Sequence, residues 1–322
     1  MPSIATLLCR FMSWSVITVL FAFLLNCYLS FWRDWPGAGA AFSETSSALA
    51  WTQFALYVAA VAGAAMWVLR TRPRSLRADD VAMTRLATYL VEAAFWMVLL
   101  VGVADALISF LRVEGLLVHF VSPQTEAALG RSAWRGPMVH GPLVLLGLVM
   151  PFIVRGGMSF VWLALLVVLA ELQIVILRFV FSYEQAYMGD LVRLWYAALF
   201  LFASAYTLVE DGHVRVDVFY SGFDAKRRGL VNAWGSLVLG LPMCWTVLIL
   251  GMGSKTSIIA SPLVNLEVSQ SGFGLYVKYL MAGFLAVFAV TMTIQFAGYF
   301  LQGIADYRGD PGKKAPAPGS AH

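Results

Sequence analysis

The run Met158–Phe181 decides the fold class; it reads MSFVWLALLVVLAELQIVILRFVF. Only Glu171 and Arg178 are charged within this run. About 20 apolar residues in a helix cross a bilayer core about 30 Å thick, so this run is long enough to span a membrane. Because its charges are so few, the run predicts a transmembrane helix rather than a helix in a soluble core.

The composition of the whole chain has the same character. Of its 322 residues, 60% are hydrophobic and only 12% are charged, whereas soluble domains carry about 25% charged residues. So little polar surface excludes a soluble enzyme, a disordered protein and a nucleic-acid-binding protein. Cys9, Cys27 and Cys244 lie far apart, so we expect neither a disulfide framework nor a cysteine metal site. The composition predicts an all-α, polytopic membrane protein.

Seven further apolar runs bring the prediction to about eight transmembrane helices. They are Phe11–Trp32, Trp51–Leu69, Leu90–Leu111, Pro142–Val154, Leu194–Val209, Leu230–Gly251 and Leu275–Phe300. The run Pro142–Val154 is too short to cross alone. We therefore expect it either to be re-entrant or to be extended by Trp134–Met138.

The distribution of basic residues predicts the orientation. If the N-terminus is cytoplasmic, 14 of the 22 Lys and Arg residues fall in cytoplasmic segments, as the positive-inside rule requires. An even number of spans then places both termini in the cytoplasm. A cleaved signal peptide is the alternative for the N-terminus, because Ala38-Gly39-Ala40 has the small-x-small form, but the apolar run exceeds the usual length of about 7–15 residues. The Pro- and Lys-containing tail 308–322 predicts a disordered cytoplasmic end.

One part of the sequence has a distinctive pattern. Arg178-Phe-Val-Phe closes the fifth run, and Gly212–Val218, which reads GHVRVDV, follows the sixth. This order resembles the GxHxRVDxx signature and four-span core of the small membrane (Q) subunit of tripartite ATP-independent periplasmic (TRAP) transporters. The resemblance covers about Met158–Asp306. It implies a four-span core at residues 157–307, preceded by an additional four-span region at residues 1–156.

The resemblance also implies a function. In this family a large membrane subunit carries the substrate and sodium sites, and an extracytoplasmic substrate-binding protein delivers the solute. This chain would then be a scaffold in the bacterial inner membrane that braces the large subunit, with no catalytic residue and no cofactor of its own. Its extra spans resemble the enlarged small-subunit type, which implies import of an organic acid with a sodium gradient. The predicted outer loops Arg33–Ala50, Arg112–Pro137 and Ser254–Gly272 are candidates for contact with the binding protein.

The signature residues have two interpretations. The resemblance assigns His213, Arg215 and Asp217, with Arg178 before them, to a structural tie between the cytoplasmic bend and a partner or the adjacent helix ends. The alternative is an ordinary basic loop that contacts anionic lipids. No second base or nucleophile lies near His213 in the sequence, so we do not expect it to act in catalysis.

Charged residues within the spans are the other candidates. A charge in the middle of a membrane costs about 2.5–3.5 kcal/mol on insertion scales, so Glu171 requires a proton or a protein partner. Glu171 and Arg178 lie seven residues apart on one helix face, and Asp105 and Arg112 repeat that spacing. We expect both acids to serve as polar tethers between helices, with a coupling-ion site as the alternative.

Two alternatives for the whole chain remain open at this stage. The first is a self-sufficient carrier or channel that uses Glu92, Asp105 and Glu171 as an ion path. The second is a structural assembly factor unconnected to transport. A metal-dependent lipid enzyme is disfavoured, because Asp79-Asp80 lacks further acidic residues nearby. We expect this pair to cap a helix that starts near Val81.

Overall fold

The computed structural model describes residues 3–44, 46–154, 160–209, 220–269 and 274–312, and these form helices and turns without a strand. Within them, eight helical segments are long and apolar enough to cross a membrane, which confirms the predicted fold class and span number. These are α1 (Ile4–Trp32), α2 (Ala48–Arg70), α3 (Leu76–Val113), α5 (Ser132–Ile153), α6 (Phe160–Val180), α7 (Ala186–Val209), α8 (Ala225–Met252) and α10 (Lys278–Arg308). Two short helices, α4 (Pro123–Leu129) and α9 (Ala260–Asn265), lie in the connections.

Local polar residues fix where several helices begin. The Ser3 hydroxyl accepts from the Thr6 amide at 3.2 Å, and the Ser47 hydroxyl accepts from the Ala50 amide at the same distance. Asp224 accepts from the Arg227 amide at 2.9 Å at the start of α8. Such side chains satisfy amide groups that have no partner within the helix, so these starts are encoded locally.

The third helix is longer than its apolar run. It begins at Leu76 rather than near Leu90 or Val81, and the Ser75 hydroxyl accepts from the Ala78 amide at 3.2 Å. Asp79 therefore lies inside the first turn, and the prediction that Asp79-Asp80 caps a helix is wrong. Because a helix rises by about 1.5 Å per residue, α3 extends for roughly 57 Å. This length exceeds the hydrocarbon thickness of a bilayer.

The short fourth run does become a full-length helix. Ser132–Ile153 is a 22-residue helical segment, so residues before Pro142 extend it as expected. Its first part contains a π-helical turn at Gly136–His140. Such wide turns are rare and occur frequently at functional sites. The segment predicted as the outer loop Arg112–Pro137 accordingly ends in a helix, and Arg135 on that helix is fully buried.

The chain divides into two compact units, and each is discontinuous in sequence. Unit 1 contains Met1–Thr88, Ala205–Ser257 and Ala289–His322, and unit 2 contains Tyr89–Ser204 and Ile258–Phe288. Each unit combines residues from before and after position 156. The linear division at 156 therefore stays a prediction about the sequence regions, and it does not describe how residues cluster in space.

Unit 1 contains a buried charge cluster near the starts of α1 and α3. The Arg10 Nε lies 2.6 Å from an Asp79 carboxylate oxygen, and both side chains are completely buried. Arg10 also donates to the Thr71 carbonyl at 2.8 Å and to the Thr71 hydroxyl at 2.7 Å, and Arg74 approaches Asp79 at 2.8 Å. These contacts hold the ends of three helices together.

Small residues allow close helix packing in the same unit. A Cβ on Gly229 would lie 2.6 Å from the Tyr307 amide nitrogen, and a Cβ on Gly303 would lie 2.7 Å from the Gly229 carbonyl oxygen. Only glycine permits this approach between α8 and α10. Helix contacts in membranes depend on such packing because lipid tails remove the hydrophobic driving force between helices.

Unit 2 has its own apolar core. Its fully buried members come from α3, α6, α7 and the residues just before α10, and include Phe95, Leu163, Leu194, Phe202 and Leu275. Helix α5 adds Leu143 and Val144 at the edge of this core. Helices α3 and α5 also supply residues of a polar cluster in this unit.

Candidate functional site

A buried carboxylate, Asp105 on α3, is the centre of the most highly connected polar cluster in unit 2. Its side chain is fully buried. One carboxylate oxygen lies 2.6 Å from the Arg135 Nε and 2.7 Å from the His140 Nε2, and the other accepts from the Tyr276 amide at 2.7 Å. Both oxygens of this intramembrane acid therefore have partners within the chain.

Arg135 is the cationic partner of this acid. Its guanidinium is fully buried and also donates to the Asp105 carbonyl at 2.9 Å and to the Ser109 hydroxyl at 3.3 Å. Its central carbon lies 4.7 Å from the centre of the Tyr276 ring, within the range of a cation–π contact. Two α3 residues one turn apart thus bind the same guanidinium from α5.

His140 connects the acid to a second tyrosine. The imidazole is buried, and its Nδ1 lies 2.7 Å from the Tyr279 hydroxyl. The two rings are stacked with centres 5.9 Å apart and an interplanar angle of 18°. Since both ring nitrogens have a partner, the imidazole is held in one orientation.

The π-helical turn explains how Arg135 and His140 reach the same carboxylate. Arg135 directly precedes the turn Gly136–His140, and His140 is its last residue. In a regular α-helix, residues five apart point in directions about 140° apart, because each residue turns by about 100°. The wider turn reduces this divergence, so both side chains face α3.

Arg112 contributes a second cation at the edge of the cluster. It donates to the Tyr276 hydroxyl at 2.8 Å and lies over the ring at 5.2 Å, while that hydroxyl donates to the Gly130 carbonyl at 2.9 Å. Asp105 and Arg112 are thus linked indirectly, because both bind Tyr276. The cluster joins α3, the connection after α4, α5 and the start of α10.

The other predicted residues lie apart from this cluster. Glu171 and Arg178 are exposed on α6, and Glu92 is half-buried on α3. His213, Arg215 and Asp217 lie outside the described residues, so their role as a structural tie stays a prediction. Arg135, His140, Tyr276 and Tyr279 were not predicted from the sequence. A signal existed for two of them, because extending the fourth span backward places Arg135 and His140 inside a membrane helix.

Unit 2 also has an apolar cavity of about 400 Å³ between α3, α6 and α7. Phe110, Leu169 and Trp195 line it, and Gln173 and Gln185 are its polar amides. No acidic residue lines this cavity. Within the described residues there is also no group of three or more His, Cys, Asp or Glu side chains that could hold a metal ion. The contacts of Asp105 with Arg135, His140 and Tyr276 form a polar connection between helices.

Comparison with known proteins identifies one part of the chain. Residues 164–306 match the family model described as "Tripartite ATP-independent periplasmic transporters, DctQ component". Neither the curated proteins nor the solved structures gave a match. The match begins within α6 and ends near the end of α10, close to the limits expected from the resemblance. The expected resemblance is confirmed: residues 164–306 of this chain are similar to the DctQ component of TRAP transporters.

Proposed function

We propose that this chain is the scaffold subunit of a TRAP-type secondary transporter that imports an organic acid with a sodium gradient. It braces the large membrane subunit and helps to dock the substrate-binding protein. The DctQ domain supports membership in the transporter. The organic acid, the sodium coupling and the bacterial inner membrane follow from the family resemblance. We assign the substrate and sodium sites to the large subunit and no cofactor to this chain.

The Asp105 cluster is the observation that supports a scaffold role. Asp105, Arg135 and His140 precede the DctQ domain, whereas Tyr276 and Tyr279 belong to it. Buried contacts of 2.6–2.7 Å join the two regions within unit 2. Short buried contacts of this kind hold helices in one arrangement, which suits a static frame against which a partner moves.

The same geometry disfavours a self-sufficient carrier. An ion path requires acids that can exchange their partners, whereas both oxygens of Asp105 are already bound by protein groups. Glu171 is exposed and Glu92 half-buried, and the cavity between α3, α6 and α7 is lined by none of the three acids. The self-sufficient carrier is therefore the competing hypothesis in the co-purification and uptake experiment.

Co-purification and reconstituted uptake test the proposal together. The tagged chain is expressed with the large TRAP membrane subunit and the binding protein of the same genome, and purified in mild detergent. We expect the large subunit to be recovered in about equal amount. In proteoliposomes, uptake of organic acids should require sodium, the binding protein and both membrane subunits.

Two results would contradict the proposal. The chain could be recovered alone although the large subunit is present in the same membranes. Alternatively, the chain could carry out sodium-driven uptake without a partner. The second result would make Glu92, Asp105 and Glu171 the residues to substitute, because the carrier hypothesis assigns the ion path to them.

A further inference from the structure

Glu171 lies at the midpoint of a membrane-spanning helix. In α6 it follows the first residue, Phe160, by 11 positions and precedes the last, Val180, by nine. At about 1.5 Å per residue, it is about 16 Å and about 14 Å from the two ends. These distances place the carboxylate near the centre of a hydrocarbon layer about 30 Å thick.

The carboxylate of Glu171 points away from the part of the chain that the structure describes. Glu171 is exposed and forms no hydrogen bond or ion pair with the described residues. Val168, one turn before it, is 60% exposed, and Val175, one turn after it, is 49% exposed. Arg178 lies on the same side near the helix end and is exposed as well. Together these four residues, Val168, Glu171, Val175 and Arg178, form what we call the α6 face.

An acid in this position requires either a proton or a partner outside the described residues. A charged side chain at the centre of the bilayer is costly, and such residues almost always face protein or water. Arg178 differs because it is near the helix end, from which a long side chain can reach the headgroups. Glu171 lies near the middle of the membrane, and its side chain is too short to reach the headgroups.

The rest of the helix agrees with a protein partner. Of the eight spans, α6 buries the smallest share of its apolar length within the described chain. By contrast, the intramembrane acid Asp105 is fully buried and paired with Arg135. The chain thus satisfies one membrane acid internally and leaves the other on its least covered helix.

We propose that the α6 face is the docking surface for the large membrane subunit, which presents a basic side chain at the depth of Glu171. This inference rests on the proposed function, because that function supplies the membrane partner. Charge complementarity identifies the chemistry of the contact. A symmetric contact between two copies would place two Glu171 carboxylates at the same depth, where like charges repel each other.

Photocrosslinking tests the surface. A photoreactive phenylalanine analogue replaces Val175 on the α6 face, and in a matched variant it replaces Val58. Val58 is 54% exposed and lies near the midpoint of α2, so it places the analogue within the membrane on another helix. In cells that express both membrane subunits, we expect the analogue at position 175 to crosslink to the large subunit and the analogue at position 58 not to do so.

The possible outcomes separate this proposal from the proposed function. Absence of the crosslink from position 175, or a crosslink to a second copy of this chain, would overturn the α6 face even while the large subunit still co-purifies. Equal crosslinking from positions 58 and 175 would also overturn it. Failure of the large subunit to co-purify with the unmodified chain would overturn the proposed function, and the docking surface with it.

Charge variants test the chemistry of the contact. We expect Glu171→Lys to lower the amount of large subunit recovered per chain about tenfold or more, the factor that corresponds to about 1.4 kcal/mol. Glu171→Gln keeps hydrogen-bonding capacity and should lower recovery less. Val58→Lys introduces the same cation near the middle of α2, so it controls for the insertion cost. Unchanged recovery with Glu171→Lys would rule out a basic partner.

Discussion

At the scale of single residues, the buried ion pairs are the feature of this membrane protein that costs the most free energy to bury. Arg135 and Asp105 have no exposed side-chain surface, and the same is true of Arg10 and Asp79. Removing two such charges from water costs several kcal/mol per ion, and only close geometry with additional hydrogen bonds offsets this cost. In both pairs the arginine also binds backbone or hydroxyl oxygens, which offsets part of this cost.

Loss of one member of a buried pair should therefore be severe. We expect Asp105→Asn to lower the free energy of unfolding by about 3–5 kcal/mol, because Arg135 keeps its charge without a buried counter-ion. The measurement is thermal unfolding of the purified chain in detergent. Glu44→Gln likewise replaces a carboxylate with an amide, but on an exposed residue, and should leave the unfolding temperature nearly unchanged.

A double variant separates charge from packing. If the loss arises from the uncompensated Arg135, then adding Arg135→Met to Asp105→Asn should restore part of the stability. An unfolding temperature of Asp105→Asn equal to that of the parent would contradict the structural importance of the cluster. No recovery in the double variant would instead show that the hydrogen bonds of Arg135, rather than its charge, dominate.

The cluster also shows how far a site can be predicted from sequence. The apolar run placed Asp105 within a predicted span, and helical spacing suggested Arg112 as the residue on the same helix face. The actual ion-pair partner, Arg135, is 30 residues away on another helix. Helical spacing reports only neighbours on one helix, so it could not identify a pair that depends on how α3 and α5 pack.

At the scale of helices, the fit between α3 and α5 depends on one glycine. A Cβ on Gly147 would lie 2.5 Å from the Met97 Cγ and 2.8 Å from the Met97 amide nitrogen. Backbone atoms cannot move aside as the end of a flexible side chain can. Helix α5 is therefore held against α3 by close packing in addition to the Arg135–Asp105 pair.

Enlarging this glycine should separate the two helices. We expect Gly147→Ala to lower the free energy of unfolding by about 1–3 kcal/mol, the usual cost of overpacking, as measured by thermal unfolding in detergent. Gly63→Ala on α2 is the matched control, because nothing lies within 4 Å of the added carbon. It should be neutral or slightly stabilising, since alanine favours helix formation over glycine. Equal effects of the two substitutions would contradict the close approach.

The ends of some helices could be predicted from the sequence, because the apolar run and the helix cover nearly the same residues. For α1, α2 and α6 the apolar runs lie within a few residues of the observed ends or inside them. For α3 and α7 the helix extends beyond the run, to Leu76 and Ala186. Hydropathy locates the part of a helix that lies in lipid, but it does not detect polar turns that continue the helix beyond the lipid.

At the scale of the whole molecule, the orientation in the membrane remains a prediction. It rests on the 14 of 22 basic residues that a cytoplasmic N-terminus would place inside. Labelling of single cysteines can test it with little background, because Cys27 and Cys244 are buried and Cys9 is half-buried. Two exposed positions flank α2 and must lie on opposite sides of the membrane.

We expect a membrane-impermeant maleimide to label Glu44→Cys in intact spheroplasts. Arg72→Cys should react only after the membrane is permeabilised, because the predicted topology places it in the cytoplasm. Both variants should react fully in detergent, which controls for local access. The reverse pattern would overturn the proposed orientation of the termini without affecting the number of spans.

The organisation into two units was beyond the reach of sequence patterns. The sequence suggested an added region followed by a family core, and the family model matches residues 164–306. In space, however, residues from both regions share unit 1, and residues from both share unit 2. Such grouping results from contacts between distant residues, which local periodicity does not contain.

The pairing of Arg135 with Asp105 has a consequence for the biosynthesis of this chain. Tyr276 follows Asp105 by 171 residues, which corresponds to roughly 10–30 s of translation at about 5–20 residues per second. Throughout this interval, Asp105 lacks its last partner. Arg135 emerges much sooner, and its charge opposes entry of the helix that carries it into lipid. The membrane-spanning helix synthesised just before it already carries Asp105. Both members of the ion pair are therefore available when α5 enters the membrane.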